Sequence, residues 1–261
     1  PNWDMKVAAG FASDALTRAD IDRLLPDMAA KFTYGILSHN WGSVTDPLEI
    51  AQDIAKAAEA RGVAFQAGAV TKLVATSDRV RLTTDTGEHR FDGVVVAAGI
   101  RARAFAKALG DKLPLVAERG YNLTFPTPGF TLEMPLIMPD RGIAITNLGE
   151  GLRIGGWAEY ADSPDRPENK SYYKALARIS ADVFPGLNQK GAIAWMGNRP
   201  SLPDSVPVIS KSLKSDRVFY NCGHGHYGLS FSAISANILC DQIEGKPLPE
   251  PHRAYAVDRF N

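Results

Sequence analysis

Apolar positions along this 261-residue chain change period several times, and each change marks an element. Val80 and Leu82 alternate with Arg79 and Arg81, the period-two pattern of a half-buried strand. Extended runs at 69–75 and 88–91 flank it, and Asp85-Thr86-Gly87 has the composition of a hairpin turn. Residues 94–99, VVVAAG, are apolar throughout, as in a strand buried on both faces. They end in small residues that let another backbone or a ligand come close. Helical spacing takes over at 46–62. There Asp46 is a candidate N-cap, Pro47 suits the first helical position and Glu49 completes a capping box. Ile50, Ile54, Ala57 and Ala58 share a face, and Gly62 stops the helix. Residues 63–65, Val-Ala-Phe, then read as the start of a strand. Further helices are expected at 101–109, stopped by Gly110, and at 170–184, ended by Pro185-Gly186. Nearer the N-terminus, 20–25 has a short helical look closed by Pro26, and 34–41 reads as strand then loop.

From 113 to 196 the texture turns antiparallel. Short strands are expected at 121–125, 136–138, 143–147, 152–157 and 192–195. Pro126-Thr127-Pro128-Gly129 and Pro139-Asp140-Arg141-Gly142 are the strongest turns among them. Strands at 206–210 and 217–221 and a last helix reaching Gly245 resume the earlier style. The expected fold class is α/β (α+β). One layered domain comprises 46–112 and 201–250, and an antiparallel-sheet domain comprising 1–45 and 113–200 is inserted into it.

Composition narrows the function classes. A chain with 45% hydrophobic residues has enough for a sizeable core. Lys+Arg 29 balances Asp+Glu 29, which argues against nucleic acid as the partner. Two cysteines, Cys222 and Cys240, make no disulfide framework, so a reducing, cytoplasmic compartment is expected. No apolar run approaches the ~18–20 residues of a spanning helix, so no transmembrane segment is expected.

Candidate chemistry concentrates at 218–232, VFYNCGHGHYGLSFS. An apolar strand runs into Gly223, Gly225 and Gly228, and a helical pattern follows. Such a turn presents bare backbone N–H groups to an anionic or electron-rich ligand. The alternative is an ordinary tight βα turn. The spacing satisfies G-x-G-x-x-G, but a dinucleotide fingerprint needs a second strand and an acidic residue about 20 positions on. Here Lys246-Pro247-Leu248-Pro249-Glu250-Pro251 follows, so we expect a cofactor-facing helix start and not a Rossmann fingerprint. Ala98 and Gly99 offer close approach to a phosphate or sugar, or simple strand-to-helix packing. Arg199, in WMGNRPSLPDS, follows a strand of the inserted domain, where the two domains are expected to meet. Its guanidinium suits a bidentate grip on a carboxylate, with an ion pair to Asp204 as the alternative. His224 and His226 make a His-x-His pair of the kind that takes zinc, and Cys222 lies close enough in sequence to be weighed as a nucleophile. No further ligand cluster accompanies the histidines, and Cys222 ends an apolar strand, where an inert thiol is usual. Neither a metal nor covalent catalysis is expected.

Five stretches, taken in order and spacing, resemble the FAD-dependent amino-acid oxidase and dehydrogenase family, the D-amino-acid oxidase-like flavoproteins. They are DPLEIAQDIAKAAEARGVAF, VVVAAGIRAR, ERGYNLTFP, WMGNRPSLPDSVPVI and FYNCGHGHYGLSF. The bacterial D-amino-acid dehydrogenase branch is the most similar part of that family. The resemblance implies FAD as cofactor, held by a Rossmann-like layer. Val70 would meet its adenine side through the backbone, and Ala98 and Gly99 its phosphates. Gly223, His224, Gly225 and His226, with Tyr227 and Gly228 beyond them, would lie beside the flavin ring. Arg199 would hold the substrate carboxylate, and Tyr121 would reach the substrate cavity. The implied reaction oxidises a D-amino acid, or a related secondary amine such as a cyclic imino acid, by hydride transfer to flavin. The imino acid then hydrolyses to a 2-oxo acid, with no catalytic base required of the protein. The implied partners are the amino acid and an electron acceptor, oxygen or a quinone; a quinone would bring the protein to the inner face of the membrane.

One departure accompanies the resemblance. The family opens with a βαβ unit carrying the true G-x-G-x-x-G, and this sequence opens at Pro1 without it. The expected Rossmann-like layer is therefore incomplete at the N-terminus. The alternative expectation is a non-catalytic fragment or subunit that binds FAD only with a separate N-terminal segment or chain.

Overall fold

The computed structural model describes residues 2–29, 31–39 and 41–260. In chain order the elements are α1 (Asn2–Ala8), β1 (Ser13–Leu16), α2 (Arg18–Leu24), β2 (Gly35–Ser38), α3 (Pro47–Glu59), β3 (Val70–Ala75), β4 (Val80–Thr84), β5 (Gly87–Phe91), β6 (Val94–Val96) and α4 (Ala102–Leu109). They continue with β7 (Val116–Phe125), β8 (Leu136–Met138), β9 (Ile143–Leu148), β10 (Gly151–Ala161), α5 (Ser171–Val183), β11 (Ile193–Ser201), β12 (Val208–Lys211), β13 (Val218–Cys222) and α6 (Ser232–Ile243). Two compact units emerge. The first comprises residues 1–53, 121–157 and 168–196; the second comprises 54–120, 158–167 and 197–261.

The first unit is built on antiparallel pairing. Its main sheet has the order β11-β7-β10-β9-β8, and β1 pairs with β2 beside it in sequence. Adjacent glycines in β10 allow close strand approach: a Cβ on Gly156 would lie 2.2 Å from the Gly142 carbonyl oxygen, and one on Gly155 2.9 Å from that of Tyr121. Helix α5 buries Leu176, Ser180 and Val183, spaced four and three apart on one face. Leu176 and Val183 join Tyr121, Phe125, Ile145 and Ile154 in one core. Helix α2 starts at Thr17, whose hydroxyl accepts from Asp20 N–H while the Asp20 carboxylate accepts from Thr17 N–H. That box is invisible to a search for Glu or Gln at the third position.

The second unit holds the β12-β13-β6 sheet, in which β13 runs parallel to β6 and antiparallel to β12, and the β3-β4-β5 meander. Leu73, Val80, Val96, Ala106, Leu115, Val208, Val218 and Tyr220 form its core. On the other side Ile238 and Leu239 of α6 pack on Ile209 and Phe219. A buried Asp111 ties the unit together, accepting from Ser212 Oγ at 2.5 Å and Tyr220 Oη at 2.8 Å.

Helix α3 forms with its expected signals. The Asp46 carboxylate accepts from Leu48 N–H at 2.8 Å. At the other end Val63 N–H reaches back to the Ala58 carbonyl and Gly62, at φ +92°, bonds back to Glu59, a Schellman closure. One expectation needs correction. Residues 63–65 are not a strand: no described residue pairs with them, and Val63 and Phe65 are exposed. A strand is stable only with a hydrogen-bonded neighbour, which local sequence does not reveal. Beyond the Pro-rich stretch 246–251 the chain packs back on the second unit. Ala256 and Val257 are buried, Val257 N–H donates to Ser210 Oγ at 2.9 Å, and Arg259 Nε donates to Asp204 at 2.7 Å.

Candidate functional site

Three side chains and a glycine of the second unit meet on two neighbouring strands. Side chains two apart on a strand share a face, so Glu118 and Gly120 of β7 point the same way, as do Arg199 and Ser201 of β11. Ser201 Oγ donates to Glu118 Oε2 at 2.6 Å. The guanidinium of Arg199 lies on the Gly120 backbone, where a Cβ would come within 2.1 Å of Nη1. Only glycine leaves room for it. Arg199 Nη1 is buried and has no hydrogen-bond acceptor among the described residues; Glu118 Oε1 lies 3.9 Å away. The alternative partner weighed for Arg199, Asp204, is taken by Arg259.

The glycine turn supplies the rest. After β13, Gly223 and Gly225 adopt φ +81° and +53°, conformations that a side chain disfavours. Gly223 also faces Leu202, whose Cδ1 would lie 2.3 Å from an added Cβ. Gly225 N–H donates to the Pro200 carbonyl of β11 and Tyr227 N–H to that of His224, so these two amides are spent within the protein. The His226 and Gly228 N–H groups have no acceptor among the described residues. Helix α6 begins only at Ser232, so the free amides belong to the turn that leads into it and not to its first residues.

The two histidines go to different partners. His226 Nε2 lies 2.5 Å from Glu118 Oε1, with its side chain 50% exposed. His224 Nε2 is 2.9 Å from Ser235 Oγ of α6, and burial holds this imidazole below its ordinary value. Burial would raise the Glu118 carboxyl, but the bonds from Ser201 and His226 and the charge of Arg199 outweigh it and hold the group below its usual range. Burial pushes the Cys222 thiol up to about 12, which leaves it protonated and unreactive at neutral pH. Between these groups lies an open cleft of about 400 Å³, lined by Val116, Glu118, Tyr160, Ser201, Leu202, Pro203, Ser205 and residues 223–227.

The second unit thus carries Arg199, Gly223, His224, Gly225, His226, Tyr227 and Gly228 around one cluster and its cleft. Tyr227 and Gly228 are exposed, with the Tyr227 ring stacked on Phe231. Ala98 and Gly99 follow β6, the neighbour of β13; Ala98 is exposed and Gly99 has φ +53°. Val70 opens β3 opposite Thr84 and is exposed. Tyr121 belongs to the first unit. Its ring is buried against Tyr172 at 4.5 Å, and its hydroxyl accepts from Asn169 N–H. Glu118 and Ser201 are absent from the sequence expectations. The E-x-G and R-x-S spacings were visible, but not that the two strands are neighbours.

Comparison with known proteins follows the same lines. A family model described as FAD dependent oxidoreductase, DAO, matches residues 2–242. A D-amino-acid oxidase of Bradyrhizobium diazoefficiens is 28% identical over 99% of this chain, and a D-amino acid dehydrogenase of Allorhizobium ampelinum is 31% identical over 98%. The chain spans 62% of the length of each of these two relatives. Glycine oxidase from Geobacillus kaustophilus has the same fold, with a TM-score of 0.80 at 20% identity, over 97% of this chain and 69% of that one. No helix among the described residues is long and apolar enough to cross a membrane.

Proposed function

Because the chain belongs to the FAD dependent oxidoreductase family DAO, we propose that it serves the FAD-dependent oxidation of a D-amino acid, or a related secondary amine, to an imino acid that hydrolyses to a 2-oxo acid. The observation that carries this reading is Arg199: a guanidinium seated on glycine, with a buried Nη1 that no described acceptor satisfies. A buried donor left unmatched is costly, and a substrate carboxylate would match it.

The second unit fits the flavin on its own features. Left-handed Gly223 and Gly225 leave two positions of the turn without a side chain, and the His226 and Gly228 amides are unspent. Exposed Ala98 at the end of β6 and exposed Val70 at the start of β3 would extend the contact toward the phosphates and the adenine. When bound, FAD supplies the two-electron acceptor for the C–N bond. The protein's part is to fix the carboxylate on Arg199 and to offer N–H dipoles where negative charge collects. Tyr121 has no place in this assignment, since its ring and hydroxyl are spent in the core of the first unit. The final electron acceptor is oxygen or a quinone.

Arg199→Ala should raise KM for the amino acid and lower kcat/KM by about 10–100-fold, the worth of about 1.5–3 kcal/mol for a charged hydrogen bond. Unchanged kinetics would remove Arg199 from the site.

A second reading has its own observation. Helix α3 has a one-sided apolar pattern yet buries no residue, and Leu48, Ile54, Val63 and Phe65 are exposed. Apolar surface of this extent is normally covered. On this reading the chain holds FAD only when a further polypeptide segment lies over that surface. Flavin would then co-purify with a longer polypeptide and not with this chain alone; a yellow preparation of this chain rejects it.

A further inference from the structure

Two groups of the cluster have no task in amine oxidation as argued so far: Glu118 and His226. Both Glu118 oxygens are engaged, Oε2 by Ser201 and Oε1 by His226 Nε2. The neighbouring Arg119 does not compete for them, since it turns to Glu159 and to the carbonyls of Arg166 and Pro167. A carboxylate held ionised only accepts, so the hydrogen between it and His226 resides on Nε2. A neutral ring in that tautomer keeps a lone pair on Nδ1. No described residue hydrogen-bonds to Nδ1, and the ring is half exposed on the cleft. His224, by contrast, spends Nε2 on Ser235 and is partly buried.

We propose that His226 is the proton acceptor of the cleft and that Glu118 is the residue that positions it. The substrate class rests on the amine-oxidation reading; the geometry of the pair does not. An amino acid arrives at neutral pH as an ammonium, whose nitrogen lone pair is tied up in an N–H bond. That bond breaks, its electron pair stays on nitrogen, and the proton forms a new N–H bond at His226 Nδ1. The products are a neutral amine and an imidazolium, and Glu118 balances the new charge. Arg199, 3.9 Å from the same carboxylate, takes the other pole of the substrate. The cluster therefore selects zwitterions: carboxylate to Arg199, ammonium to His226.

Spectra correlating ring protons with nitrogen in protein labelled with 15N-histidine read the tautomer directly, without turnover. Wild-type protein should show His226, assigned by its loss in His226→Gln, with hydrogen on Nε2. D-alanine or D-proline should shift its Nδ1 signal. Glu118→Gln should leave a mixture of tautomers, and Glu118→Asp should restore the single form. An Nδ1–H ring in the wild type, or an Nδ1 signal indifferent to both amino acids, overturns the proposal. In the FAD-loaded enzyme His226→Gln should lower kcat/KM about 100-fold near neutral pH. The deficit should close as pH rises past the substrate's own ammonium titration, because the free amine needs no acceptor. A deficit constant with pH marks a purely structural role and also overturns it. Failure of the wild-type enzyme to oxidise any amine would instead reject the amine-oxidation reading, while the spectra still report on the pair.

Discussion

Gly120 shows how much a single missing side chain can carry. Its backbone is the seat of the Arg199 guanidinium, and a Cβ there would overlap Nη1 and lie 2.4 Å from Cζ. Its φ is not left-handed, so alanine is otherwise acceptable in β7. Gly120→Ala should therefore behave like a displaced Arg199. KM rises and kcat/KM falls by about tenfold or more, while the melting temperature moves little, since the arginine can swing toward solvent. A large loss of stability with normal KM would contradict this. Arg199 stood out in the sequence as an arginine expected after a strand in a Pro/Gly-rich stretch, although β11 runs on through it to Ser201. Glu118 did not stand out, because its role comes from Ser201 and His226, which approach it from far along the chain.

At the scale of elements, strand β13, the glycine turn and helix α6 act together. The His224–Ser235 hydrogen bond ties the turn to the first turn of the helix. Burial depresses this imidazole in the folded protein from its ordinary value of 6.5. As pH falls below that value the unfolded chain takes up the proton first, so stability falls with falling pH until the folded-state value is passed. Urea midpoints measured from neutral to mildly acidic pH should show this fall in the wild type and a flatter course in His224→Gln. Parallel curves would contradict the assignment. Local signals served well where they were sufficient. The cap at Asp46, the Schellman closure at Gly62 and the stop at Gly110 all form as their residue types require. They failed where partners decide. Residues 63–65 have strand-forming side chains but no ladder, and Val257 and Arg259 are held by Ser210 and Asp204, far back along the chain. Helix α6 starts at Ser232 because the amides just before it close tight turns onto His224, Tyr227 and Leu229.

At the scale of the whole molecule, the change from helix-strand texture to antiparallel texture was legible, and strand order was not. The parallel pairing of β6 with β13 joins strands separated by nearly half the chain, and no local pattern announces it. Family membership rests on the family model that matches residues 2–242, and the fold agrees with it. The account's central claim is that this fold serves FAD-dependent oxidation of an amino acid held by Arg199. The most direct test is the visible spectrum of the FAD-reconstituted protein without oxygen, before and after addition of D-alanine or D-proline. The account predicts loss of the flavin band with the amino acid, none with the matching amine that lacks a carboxylate, and a much higher amino-acid requirement in Arg199→Ala. A flavin band that persists with every amino acid, or that the carboxylate-free amine removes equally well, would contradict it.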